Sequence, residues 1–190
     1  MLKNNMLASY SREWFEMTFN FRNGTSFREF KNIVEKISVN KIDPLKFKGD
    51  CLEIFAEIFF KAFSNDASFG LVDYTPIDIE NDYGVDGVGY NADNRKVAVQ
   101  VKYRSNPMDL VLYEEIAKTF TSGMKMLDLD LMHKQSVYVF TTAVGVTPSC
   151  QKVLGNSLVV INSDIISEQV DNNTNFWEFA FQEVYNYLNS

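Results

Sequence analysis

Between Tyr83 and Arg104 the chain reads YGVDGVGYNADNRKVAVQVKYR, and this stretch constrains the fold more than any other. From Val97 onward the residues alternate with period two. Val97, Val99 and Val101 therefore share one face of a strand, and Ala98, Gln100 and Lys102 share the other. Ala92-Asp93-Asn94-Arg95 reads as a turn, and the run before it, with the lone acid Asp86 among small residues, reads as a partner strand. Asp86 alone is equally well explained as a turn aspartate beside glycine. Gln100 and Lys102 alone are explained as a solvated strand face. That second explanation weakens for a central strand, where both faces are covered and a lysine needs a polar cleft or a partner.

The flanking sequence points to a central strand. Helical spacing predicts helices over Asn4–Asn20 and over Ser26–Ile37, the second opened by a capping box of Ser26 and Glu29. Asp43-Pro44 predicts a turn, and a third, strongly apolar helix is expected from Gly49. Glu53, Glu57 and Lys61 are its polar residues, spaced i, i+4, i+8 on one narrow stripe. They read either as a surface stripe with a Glu57–Lys61 pair or as acids facing a cleft. Pro76 keeps the next strand away from the sheet centre. A helix over Asp109–Leu127, a buried strand over Ser136–Thr142, a short helix from Pro148, a strand over Ser157–Ile161 and a last helix after Asn173-Thr174 complete the order. This predicts an α/β fold with a mixed sheet covered on both faces, residues 1–45 forming an N-terminal helical extension to a domain over 46–190.

Composition narrows the function. No apolar run approaches the roughly 18 residues of a spanning helix, and no secretory pattern opens the chain, so a soluble cytoplasmic protein with no membrane partner is expected. Cys51 and Cys150 lack metal-type spacing, and with one histidine, His133, zinc sites and histidine-based triads are excluded. The net charge of −7 argues against a generic nucleic-acid binder, but it is uneven. Residues 1–62 hold 10 Lys/Arg against 8 Asp/Glu, and the remainder holds 8 against 17.

Asp86, Gln100 and Lys102 form the pattern D-x(n)-Q-x-K. A carboxylate from one strand and a side-chain oxygen two residues before a lysine on the next can ligate Mg²⁺, with the backbone carbonyl of Val101 as a further oxygen. Three local runs add context: GDCLE (Gly49–Glu53) opening an apolar helix, GVDGVGY around Asp86, and VAVQVKYR around Gln100 and Lys102. A fourth, VYVFTTAVGVTPSCQKVL, follows. On these runs the chain resembles the PD-(D/E)xK nuclease superfamily, within it the Mrr-like (type IV restriction endonuclease-like) branch, over about Gly49 to Ile161.

The resemblance implies a restriction-endonuclease-like core in residues 46–190. It implies a Mg²⁺-dependent endonuclease, with Mn²⁺ as a substitute, that hydrolyses DNA phosphodiester bonds. Asp86, Gln100, Val101 and Glu53 would hold the metal, and Lys102 would orient the attacking water. Gln100 stands where glutamate is commoner, which makes Glu53 a compensating ligand. Glu57 is the alternative helix acid, and Asp82 a second acid ranked below Asp86. Lys46, Lys48, Lys61, Tyr103 and Arg104 are candidate DNA contacts, a salt-bridged Arg104 being the competing reading. Nucleases of this kind act as homodimers or beside a helicase or target-recognition partner. The competing class is a non-catalytic module of the same fold that binds nucleic acid or a protein.

Overall fold

A computed structural model describes residues 4–21, 24–64, 66, 69, 71–77, 84–106 and 108–189, with backbone alone for 4–9, 11, 120, 122 and 126. Asp82 lies outside the described residues. The order is α1 (Asn4–Phe21), α2 (Phe27–Ser38), α3 (Pro44–Ala62), β1 (Val72–Pro76), β2 (Gly87–Tyr90), β3 (Lys96–Lys102), β4 (Leu110–Val111), α4 (Tyr113–Met126), β5 (Val137–Thr141), β6 (Gly145–Val146), α5 (Pro148–Leu154), β7 (Leu158–Ile161), α6 (Ser163–Val170) and α7 (Thr174–Leu188). Five strands form one sheet in the order β1-β2-β3-β5-β7. β1, β2 and β3 pair antiparallel, while β3, β5 and β7 pair parallel. The chain is thus α/β with a mixed central sheet flanked by helices, and Pro76 sits on the edge strand, where its missing N–H breaks no ladder.

β3 is the middle strand and is buried along nearly its whole length. Its odd positions, Val97, Val99 and Val101, pack into a large core with residues of α1, α2, α3, α6 and α7. Ala98 faces a smaller core with Ile116 of α4 and Cys150 and Leu154 of α5. Phe55 of α3 is the hub of the larger core, its ring 4.7 Å from Phe30, 5.2 Å from Phe27 and 5.6 Å from Phe176, measured between centroids. The first two helices share this core through Trp14, Met17, Phe27, Phe30 and Val34.

Local signals explain most element ends. Ser26 and Glu29 form the capping box of α2, Asn173 caps α7, and Thr147 caps α5 with Pro148 behind it. Three expectations are corrected. Asp43-Pro44 is not a turn before a helix at Gly49 but the start of that helix: the Asp43 carboxylate accepts the Lys46 N–H at 2.9 Å, and Pro44 occupies the first position. The helix expected from Asp109 begins at Tyr113, because Leu110 and Val111 pair in parallel with Gly145 and Val146. Finally, α6 follows β7 directly, opened by the Asn162 side chain accepting the Ile165 N–H.

Candidate functional site

Two irregularities in the sheet shape the region around Asp86. On β2, Gly87 is the register partner of Val99, yet the Asp86 N–H also donates to the Val99 carbonyl at 2.9 Å. Two residues therefore oppose one, the arrangement of a β-bulge. The burial pattern agrees: Val85 and Val88 pack on the same side of the sheet although three residues apart. On β1 the register slips by one between Val72 and Thr75, and Asp73 takes a left-handed φ of 52°. Leu71 and Tyr74, again three apart, both pack on the α3 side as a result. Bulges of this kind re-aim side chains, here those of Tyr74 and Asp86.

Asp86 meets the central strand at its backbone. One carboxylate oxygen accepts the Val101 N–H at 2.6 Å, a charge-assisted bond at the point where β2 has left β3. In an antiparallel pair a residue's N–H and C=O point to the same edge, so the Val101 carbonyl is directed to the side of β3 from which Asp86 approaches. The predicted pairing of Asp86 with this strand is made through Val101 and not through the Gln100 side chain.

Gln100 and Lys102 lie on the α4 face. Gln100 is only 2% exposed, and its side-chain oxygen accepts the Thr119 hydroxyl at 2.8 Å. The same hydroxyl also lies within donating distance of the Gly84 carbonyl. Having one proton, Thr119 serves one acceptor at a time, and it ties the segment entering Asp86 to the strand carrying Gln100. Gly84 has a left-handed φ of 79°, and a Cβ there would approach the Lys118 Cβ at 3.0 Å, which explains a glycine in that position. Lys102 is half-buried and close enough to Glu115 of α4 to favour its ionised form. Burial works against the Glu115 carboxylate, but the Leu112 N–H, Arg104 and Lys102 together hold its pKa below the ordinary range.

On the α3 side, Glu53 is half-buried and Glu57 is only 4% exposed. Both, with Asp86, lie within electrostatic reach of Tyr74. Burial is the largest influence pushing the Tyr74 phenol well above its usual value of 10.0, followed by Asp86, then Glu53, then Glu57. Glu53 and Asp86 thus act electrostatically on a common neighbour. Lys61 pairs with Glu183 of α7 and not with Glu57.

The remaining candidates are committed elsewhere. Lys48 is 8% exposed and bonds Glu35 at 3.1 Å and the Ser105 hydroxyl at 2.7 Å. Lys46 pairs with Asp50, and both Glu115 oxygens accept from one Arg104 nitrogen. The Tyr103 hydroxyl donates to Glu35 at 2.9 Å. An open groove of about 500 Å³ runs beside Arg104, lined among others by Met108, Leu112, Glu115 and Thr147. Cys51 and Cys150 are buried thiols, and the His133 ring faces the backbone carbonyls of Lys134 and Lys96. No helix among the described residues is long and apolar enough to cross a membrane. Thr119 and Tyr74 were not singled out by the sequence. A threonine at a buried position of α4, one turn after Glu115, was the available signal for the first.

Among the described residues no group of three or more His, Cys, Asp or Glu side chains is arranged to hold a metal ion. The oxygens around Val101 are of another kind: the Asp86 carboxylate and the Val101 carbonyl on the β2 side of β3, and the Gln100 amide oxygen on the α4 face. This all-oxygen set suits a hard cation that keeps several of its waters, as Mg²⁺ does. An amide oxygen has two lone pairs, so the Thr119 bond leaves Gln100 one for a further partner. No family model, curated protein or solved structure matches this chain.

Proposed function

We propose that this chain is a metal-dependent deoxyribonuclease with a restriction-endonuclease-like core, hydrolysing DNA phosphodiester bonds. The observation that carries the reading is the Asp86–Val101 bond. It sets a carboxylate against the buried central strand where that strand's edge has been vacated, one residue from Gln100 and one from Lys102. Asp86 and the Val101 carbonyl, with Gln100 from the α4 side and Glu53 from the α3 side, are the residues that would hold Mg²⁺ or Mn²⁺. Such an ion would acidify a bound water and neutralise charge on a phosphoryl oxygen.

The chain's own residues divide the remaining tasks. Thr119 fixes the rotamer of Gln100, and the β2 bulge and the Val101 N–H fix Asp86. Lys102, on a strand that gives it little water, orients the attacking water or stabilises its deprotonated form. Arg104, ionically held at the groove, contacts a phosphate by exchanging its Glu115 partner. DNA is the partner, with a second copy of the chain or a helicase or target-recognition protein as the source of any specificity.

One observation favours the second reading, a non-catalytic module that binds nucleic acid or protein: Gln100 is buried and already bonded to Thr119. Incubating the protein with supercoiled plasmid and with single-stranded DNA, in Mg²⁺, Mn²⁺ or EDTA, separates the two. Cleavage that requires a metal and disappears in Asp86→Asn supports the nuclease. Unchanged DNA in both metals leaves the binding module.

A further inference from the structure

We infer that the outward face of α2, with the apolar tip of the loop that follows it, is a docking surface for the backbone of duplex DNA. The inference rests on the nuclease reading above and deepens it by naming where the duplex lies.

Ion pairing singles α2 out. Among the described cations of residues 1–62, Arg12, Lys41, Lys46, Lys48 and Lys61 each pair with a carboxylate. The other three, Arg28, Lys31 and Lys36, make no ion pair among the described residues, and all lie on α2. Arg28, Asn32 and Lys36, spaced i, i+4, i+8, are exposed and form the outward stripe of the helix. Its two acids are already engaged. Glu29 closes the capping box on the Ser26 N–H, and Glu35 accepts from Lys48 at 3.1 Å and from Tyr103 at 2.9 Å. Arg28 and Lys36 stand about 12 Å apart along the helix axis, enough to meet phosphates on the two sides of a major groove about 12 Å wide.

Position and shape specify the ligand. The half-buried Lys31 ammonium reaches the Thr142 carbonyl at 3.4 Å, and the Thr142 N–H donates to the Lys102 carbonyl at 3.3 Å. α2 thus lies against the end of the sheet at which β3 delivers Lys102 and Arg104, and a duplex reaching those residues would meet the stripe. Beyond α2 the loop is turned inside out. Lys41 folds inward, paired with Glu13, its ammonium 5.6 Å and 5.0 Å from the ring centroids of Tyr10 and Phe47. Ile42 is fully exposed, and Val39 and Leu45 are each 77% exposed. A loop that turns its lysine inward and three aliphatic side chains outward is shaped to enter a partner. Cations beside a protruding apolar tip fit a grooved polyanion: the cations meet phosphates, and the aliphatic side chains enter a groove against sugars and base steps.

The test is made in the Lys102→Ala protein with Mg²⁺, so that the duplex is bound and not cut. Anisotropy of a short fluorescein-labelled duplex gives the affinity at several KCl concentrations, and melting curves verify that each variant is folded. Arg28→Gln, Lys31→Gln and Lys36→Gln together are expected to weaken binding about 10-fold or more. They should also flatten the slope of log affinity against log salt by about 2 to 3, close to one for each phosphate contact. Arg28→Gln with Lys36→Gln, which leaves the half-buried Lys31 in place, should flatten it by about 2. Ile42→Ser with Leu45→Ser is expected to weaken binding about 2- to 10-fold at an unchanged slope, since apolar contacts release no counterions. No binding of the duplex, or an unchanged slope in both charge variants, overturns the inference; an unaffected serine pair overturns the role of the tip. Loss of binding to phosphatidylserine vesicles with duplex binding unchanged also overturns it, assigning the surface to a lipid layer. Cleavage of plasmid by wild type in Mg²⁺ decides the nuclease reading separately, so the inference can fail while that reading stands.

Discussion

Gly87→Ala is a one-carbon perturbation whose effect follows from the packing of two strands. The added methyl would sit 2.3, 2.5 and 2.6 Å from Cε2, the hydroxyl oxygen and Cζ of Tyr74, each well inside van der Waals contact. Gly87 does not have a left-handed φ, so its backbone accepts alanine and the cost is steric. Tyr74 cannot swing aside freely, because the Phe60 ring lies 4.9 Å from its own and β1 is pinned at Pro76↔Gly87. Overpacking of this type costs roughly 1–3 kcal/mol. In a chain of this size that corresponds to a fall of roughly 2–12 °C in melting temperature. The assay is a double-mutant cycle by urea unfolding: Gly87→Ala, Tyr74→Ala, and both together. If the clash is with Tyr74, the alanine at 87 costs much less in the Tyr74→Ala background, with a coupling of at least about 1 kcal/mol. Equal costs in the two backgrounds would refute the placement of Tyr74 over Gly87, and with it the reading of the two bulges.

Other consequences are as definite. Thr119→Val keeps the shape of α4 but leaves the buried Gln100 oxygen without its donor, so urea unfolding should show a loss of about 1–3 kcal/mol. Phe55→Ala, at the hub of the larger core, should cost about 3–5 kcal/mol in the same measurement. Acid should weaken the fold through Glu35 and Glu115. Burial opposes both carboxylates, yet Ser105, Lys48 and Tyr103 for Glu35, and the Leu112 N–H and Arg104 for Glu115, bring them below the ordinary 4.5. A lowered folded pKa means that the unfolded chain binds protons first. Their contribution is therefore complete above about pH 4.5 and is lost as pH falls through the folded values. Melting temperatures across that range should decline less steeply in a Glu35→Gln, Glu115→Gln double variant.

The period-two run Val97–Lys102 made the buried central strand readable, and the capping residues Ser26, Thr147 and Asn173 made several helix starts readable. Both signals are local, and local chemistry decides them. The bulges were not readable. An extra residue reverses the facing of everything beyond it, and only burial of Leu71 with Tyr74, and of Val85 with Val88, reveals that reversal. The Lys61–Glu183 pair was missed because its partner is 122 residues away. The i, i+4 neighbour Glu57 is buried and does not take that role. Tyr74 escaped notice for a related reason: a tyrosine in a strand looks like ordinary packing until the glycine beneath it and its unbonded hydroxyl are seen together. The start of α4 shifted because Leu110 and Val111, apolar enough for a helix face, found a strand partner in Gly145–Val146.

The most direct test of the proposed nuclease compares wild type with Lys102→Ala on supercoiled plasmid in Mg²⁺ and in Mn²⁺. Circular dichroism verifies that both proteins are folded, and nicked and linear products are read against time. The account predicts metal-dependent cleavage by wild type, with Lys102→Ala slower by about 100-fold or more, as for loss of a group that acts on the attacking water. Identical behaviour of the two folded proteins in both metals would contradict it.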